Sequence, residues 1–176
     1  MFTNCSSLKS LDLSNFKVNK IESFSYVFSG CKKLTSIKIS NLRTNYVRLM
    51  ESTFEGCSSL TSLDISNFDT SNVNTMKTMF YGCSSLISIN LSNFNTKQLN
   101  NMNNMNNMFY GCSSLISIDL SNFNNENVYN MNYLFYSCAK LTYIDISSFV
   151  LNQYYTVYKF INTDQPSGTI KLNCTI

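Results

Sequence analysis

The chain repeats itself every 26 residues, and that period constrains the fold more than any other feature. Cysteine marks the phase at Cys5, Cys31, Cys57, Cys83, Cys112 and Cys138, in steps of 26, 26, 26, 29 and 26. The cleanest copy, Cys57 to Gly82, reads CSSLTSLDISNFDTSNVNTMKTMFYG. Periods of about 20–50 residues mark chains built by stacking one supersecondary unit on the next. A unit this small cannot bury its apolar side chains alone, so neighbouring units must share a core. The expectation is one elongated domain, with coils starting at residues 5, 31, 57, 83, 112 and 138.

Within the reference copy, Leu60, Leu63 and Ile65 follow an L-x-x-L-x-L spacing. Leu63 and Ile65 share one face of an extended strand, and Ser62 and Asp64 share the other. Asn67 and Phe68 fall where the chain must turn. The return segment DTSNVNTMKTMF changes period, with Val73, Met76, Met79 and Phe80 spaced 3, 3 and 1. That spacing predicts one stripe of a short α- or 3₁₀-helix. Thr70 or Ser71 is placed to cap its start, and Gly82 to take a positive φ at its end. The predicted class is an α/β leucine-rich-repeat solenoid, with one parallel strand and one short helix per coil.

Stacking turns repeated positions into rows. Phe16, Leu42, Phe68, Phe94, Phe123 and Phe149 form one predicted interior row, and Phe28, Phe54, Phe80, Phe109 and Phe135 another. Asn15, Asn41, Asn67, Asn93 and Asn122 form a ladder whose amides can bond turn backbone. The six in-phase cysteines are expected to point inward as free thiols, because side chains of a parallel ladder point the same way rather than at each other. Cys174 lies out of phase, available to react or to pair outside the chain. The three extra residues of coil four lie in QLNNMNNMNNMF and predict one added tight turn on the convex side, leaving the strand undisturbed. After the turn signal Asp164-Gln165-Pro166-Ser167-Gly168, a terminal strand is predicted at about 169–173. Met1-Phe2-Thr3-Asn4-Cys5 aligns with Met79-Phe80-Tyr81-Gly82-Cys83, so the chain starts inside a repeat, as expected of a piece of something longer.

The chain contains no histidine and no tryptophan. It therefore lacks the parts for histidine acid–base chemistry, Ser-His-Asp or Cys-His nucleophiles, and the usual zinc ligand sets. Asp119 and Asp145 are predicted neighbours on an open sheet with no pocket around them, and no glycine-rich phosphate loop is present. The reading is a non-catalytic protein without cofactor or metal. Net charge is +3, from 13 basic and 10 acidic residues, and the excess gathers in coil two: Lys32, Lys33, Lys38, Arg43 and Arg48 against Glu51 and Glu55. Without interleaved aromatics this cluster reads as a solvated face rather than a nucleic-acid groove. No apolar run reaches the length of a membrane span. What remains is surface. The candidate binding face comprises Ser62, Asp64, Ser88, Asn90, Ser117, Asp119, Tyr143 and Asp145 on the exposed side of the strands. Seven of the eleven tyrosines, Tyr129, Tyr133, Tyr136, Tyr143, Tyr154, Tyr155 and Tyr158, add a hot-spot residue type to the last third.

The unit CSSLTSLDISNFDTSNVNTMKTMFYG resembles the 26-residue bacterial-surface-protein repeat, related to the BspA-like leucine-rich repeats; the match runs through six copies, from Met1 to about Ile161. The resemblance implies a protein at the cell surface or outside the cell, of host-associated bacteria, mycoplasmas or some protists. It also implies adhesion or protein–protein interaction with a protein partner such as a host matrix protein. A structural spacer or self-associating solenoid is the alternative. The family carries no shared catalytic residues.

Overall fold

The computed structural model describes residues 1–16, 20–99, 105–126, 128, 130–149 and 171–173. The chain winds into stacked coils with short parallel strands along one side. β1 (Ser10–Asp12) pairs with β2 (Ser36–Lys38), in the register Ser10↔Ser36, Leu11↔Ile37, Asp12↔Lys38. β3 (Ser117–Asp119) pairs with β4 (Tyr143–Asp145), and β4 with β5 (Lys171–Asn173). Coils three and four depart from the expected strand per coil: 62–64 and 88–90 form no strand. Single backbone bonds link coils three, four and five here, Ile87 N–H to Thr61 O and Ile116 N–H to Ile87 O, each 3.2 Å. The sheet therefore has a two-stranded and a three-stranded part.

The return segments correct the sequence expectation more deeply. Among the described residues they contain no helix; each is a run of tight turns. Tyr26, Ser52, Thr78, Asn107 and Tyr133 occupy one equivalent position, with φ between 53° and 61°, where no right-handed helix can pass. Their hydrogen bonds alternate. In coil one the N–H groups of Phe24, Tyr26, Phe28 and Gly30 reach Leu49, Glu51, Thr53 and Glu55 of the next coil at 2.7–2.9 Å. Those of Val27, Ser29 and Cys31 bond three residues back, to Phe24, Tyr26 and Phe28. The pattern recurs upward, with Met50, Ser52, Phe54 and Gly56 donating to Thr75, Lys77, Met79 and Tyr81 at 2.7–3.0 Å. Consecutive turns bring every third or fourth side chain inward, as a helix does, so the 3, 3, 1 spacing suits both. The difference is where the backbone bonds go, and here half of them tie coil to coil. This turn ladder crosses the gap in the sheet.

Inside, the rows form as the period dictates. Phe2, Phe28, Phe54, Phe80, Phe109 and Phe135 make a column of rings with centroids 5.3–5.8 Å apart and planes within 14°. The separation suits aromatic stacking, worth about 0.5–1.5 kcal/mol per pair beyond the area buried. Phe80 and Phe109 keep the column at 5.4 Å although 29 residues separate them. Residues 100–104, within the stretch that holds the three added residues of coil four, lie outside the described residues. The second row is buried from Leu42 to Phe149, but its first member, Phe16, is 41% exposed.

Cys31, Cys57, Cys83, Cys112 and Cys138 are buried free thiols as expected, but Cys5, expected to point inward with them, is exposed because it has no phenylalanine carbonyl one coil back to pack against in this structure. Each buried thiol donates to a phenylalanine carbonyl one coil back, Cys31 to Phe2, Cys57 to Phe28, Cys83 to Phe54, Cys112 to Phe80 and Cys138 to Phe109, at 3.1–3.2 Å. The same carbonyl accepts the N–H of the cysteine three residues on, as Phe54 does from Cys57. Both lone pairs of a buried carbonyl are thus used. Desolvation pushes the Cys57 and Cys138 thiols up to about 12. Cys174 lies outside the described residues.

Candidate binding surface

The exposed strand face carries the residues singled out from the sequence, at regular steps. Ser62, Asp64, Ser88, Asn90, Ser117, Asp119 and Tyr143 are exposed and Asp145 is half-buried. The register brings Ser117 beside Tyr143 and Asp119 beside Asp145, so that predicted pair is real. Ser62, Asp64, Ser88 and Asn90 sit in the interrupted part of the sheet.

The carboxylates are held by their own turns. Asp12 Oδ1 accepts from the Ser14 hydroxyl at 2.6 Å and the Ser14 N–H at 2.9 Å, and Lys38 Nζ lies 3.2 Å from Oδ2. These contacts, the Ser14 hydroxyl foremost, lower the Asp12 carboxyl to about 2. Asp64 repeats the arrangement with Ser66 at 2.7 and 3.1 Å, and its carboxyl is lowered for the same reason. Asn90 and Asp119 accept from the N–H groups of Ser92 and Ser121. Asp145 gathers the Asn173 amide at 2.8 Å, the Ser147 N–H at 2.9 Å and the Tyr143 hydroxyl at 3.3 Å. The Asn173 amide is the main cause of its lowered carboxyl, whereas desolvation and the Asp145 charge push the Tyr143 phenol up. A carboxylate fixed by its own turn keeps charge and position, which suits recognition. Proton transfer at neutral pH needs the opposite, a carboxyl with a raised pKa.

At the strand exit the asparagine ladder forms. The side-chain amides of Asn41, Asn67, Asn93 and Asn122 donate to the carbonyls of Ser14, Ser40, Ser66 and Ser92, one coil back. Sequence reasoning missed the next row. The buried hydroxyls of Thr44, Thr70 and Thr96 each donate to a carbonyl of the next coil and accept an N–H from the same residue. Thr70 does this with Asn95, at 3.1 and 2.7 Å, instead of capping a helix.

A surface tyrosine ladder was also missed. Tyr81, Tyr110 and Tyr136 stack at 4.7 and 5.0 Å, and Tyr133 meets Tyr136 edge-on at 5.8 Å. The signal was there to find, because each follows a spine phenylalanine: Phe80-Tyr81, Phe109-Tyr110, Phe135-Tyr136. Of the other tyrosines counted in the last third, Tyr129, Tyr154, Tyr155 and Tyr158 lie outside the described residues.

Among the described residues no group of three or more His, Cys, Asp or Glu is placed to hold a metal ion, and no helix is long and apolar enough to cross a membrane. Comparison with curated proteins and with solved structures finds no match. A family profile does match, over residues 1–105 and again over 99–165. By sequence and by its 26-residue phasing, the chain belongs to the family described as Mycoplasma protein of unknown function, DUF285.

Proposed function

We propose that this solenoid is a non-catalytic recognition module, presented at the cell surface, that binds a protein partner through its strand face. One observation carries the reading. The face repeats an exposed serine hydroxyl and a turn-fixed carboxylate or amide in coils one, three, four and five, with Lys38 and Tyr143 as the departures in coils two and six, and Ser62, Ser88 and Ser117 are exposed along it. Such a face offers an extended ligand the same contacts many times, so weak individual contacts sum. The resemblance of the repeat to BspA-like surface proteins supports an adhesive role and a partner of the host-matrix type. The absence of histidine supports a role without catalysis.

The test is binding to a panel of immobilised extracellular-matrix proteins, comparing the native chain with a Ser62→Arg, Ser117→Arg double variant. Loss of binding to one partner in the variant, with unchanged urea unfolding, is the expected result. Binding that persists undiminished through the double substitution would sink the strand-face assignment. Surface proteolysis of intact cells tests the location, and a chain protected until lysis counts against it.

A second reading, self-association, has its own observation. In this chain the first coil leaves an apolar cavity of about 190 Å³ lined by residues including Met1, Phe2, Leu13, Phe16, Ile21 and Phe24, with Met1 80% exposed. Sedimentation showing a monomer at the highest attainable concentration would exclude it.

A further inference from the structure

On the return side of coils one to three lies a polar cleft of about 290 Å³, lined by Lys20, Glu22, Asn45, Tyr46, Arg48 and Asn72. It is separate from the strand face, and its residues come from equivalent positions of successive coils. Lys20, Tyr46 and Asn72 form one row, Glu22 and Arg48 the next. Stacking therefore brings a cation, a phenol ring and an amide to one cleft, with the Arg48 side chain also lining it.

Its charges are unevenly matched. The Arg48 backbone N–H bonds the Glu22 carbonyl at 2.9 Å, which places the two side chains on adjacent coils. Yet the Glu22 carboxylate pairs with Lys20, at 3.4 Å. Among the described residues Arg48 has no carboxylate within ion-pair reach. Lys20 also lies 5.6 Å from the Tyr46 ring centre, and that ring stays 48% exposed. The Asn72 amide spends one N–H on the Asn45 carbonyl at 2.9 Å, leaving its oxygen and second N–H to the cleft. Guanidinium is a rigid planar fork that matches carboxylate with two parallel bonds. A half-exposed phenol gives a ligand an apolar body and a polar tip to rest on. Amides supply donors and acceptors for hydroxyl groups. The volume of about 290 Å³ falls just below the range for small-molecule pockets, roughly 300–1,000 Å³, which suits one ring rather than a peptide.

We infer that this cleft binds a carboxylate-bearing sugar, with Arg48 on the carboxylate, Tyr46 under the ring and the Asn45 and Asn72 amides on its hydroxyls. The Lys20–Glu22 pair is exposed and contributes little to stability, so Lys20 can turn to the ligand as well.

The probe is glucuronic acid, titrated into the native chain and followed by amide chemical shifts, with methyl glucoside, inorganic phosphate and a glutamate-containing peptide in parallel. Saturable binding of glucuronate, weakened at least about tenfold by Arg48→Gln and unaffected by Lys33→Gln, is expected. Glu22→Gln removes the competing carboxylate and should tighten binding. Urea unfolding of each variant confirms that the fold is retained, and the Ser62→Arg, Ser117→Arg chain should bind glucuronate normally, which separates this site from the strand face. No saturable glucuronate binding overturns the inference. So does equal binding of phosphate or methyl glucoside, preference for the peptide, or equal loss in the Lys33 variant.

Discussion

A single hydroxyl can hold two backbone atoms of the next coil, and Thr44, Thr70 and Thr96 each do so from a buried position. Thr70→Val keeps the shape and removes both bonds, stranding the N–H and the carbonyl of Asn95. The expected loss is about 1–3 kcal/mol in urea unfolding, with Thr70→Ser retaining most of the stability. A valine variant as stable as the native chain would show the clamp to be idle. The thiols make a second residue-scale test. In a Cys174→Ser background, Cys5 should react with a disulfide reagent at once, and the five buried cysteines only as fast as the protein unfolds. More than one fast thiol contradicts the burial. Because folding raises Cys57 from 9.0 to about 12, the unfolded chain releases that proton first as pH climbs. Stability from this group is complete below pH 9 and is lost as pH rises through about 12, and Cys57→Ala should flatten that decline. Phase alone reads Cys31 to Cys138, each bonded to the coil before it, but not Cys5, which shares the phase and is exposed. The threonine clamp could not be read this way, because its partners belong to the next coil and the same residue is equally suited to cap a helix.

At the scale of the element, the return turn is where sequence reasoning and structure part. Apolar spacing reports which side chains point inward and is silent on where the N–H groups donate. The ring columns, the asparagine ladder and the Asp119–Asp145 neighbours follow from repeat position, and they appear. The helix was inferred from periodicity alone, and the turns took its place. A left-handed residue just before each cysteine closes the turn: Gly30, Gly56, Gly82 and Gly111, with φ of 69–75°, and Asn4 and Ser137 at 60° and 59°. A Cβ added at Gly82 would meet nothing nearer than the Gly56 Cα at 3.8 Å. Only backbone strain then opposes substitution, and Gly82→Ala should cost about 1–2 kcal/mol. Gly82→Asn should cost less, because Asn4 already holds that conformation in the equivalent slot. Equal thermal midpoints for the two variants would refute the strain argument. At Gly30 the added carbon would overlap the Asn4 side-chain amide and press on the Asn4 Cα at 3.3 Å, so Gly30→Ala should be the more damaging glycine change.

For the molecule as a whole, the turn ladder and the phenyl column carry the stack past the interrupted sheet, beside the asparagine, threonine and cysteine rows that also bridge it. The ladder and the column both repeat from coil to coil without referring to position along the stack. Removing residues 57–82 in one piece would join Gly56 to Cys83 and present Ser52, Phe54 and Gly56 with the carbonyls of Asn106, Met108 and Tyr110, which accept from Thr78, Phe80 and Gly82 in the intact chain. The shortened chain should fold with a cooperative transition and a scattering profile about 4.8 Å shorter. Cutting out half that length should leave it unfolded, since ring would face carbonyl and thiol would face solvent. The length of such a molecule thus grows in whole rungs: the three added residues of coil four are absorbed only because Phe109 resumes the ring column at 5.4 Å, and a cut that shifts the rings themselves has no such remedy.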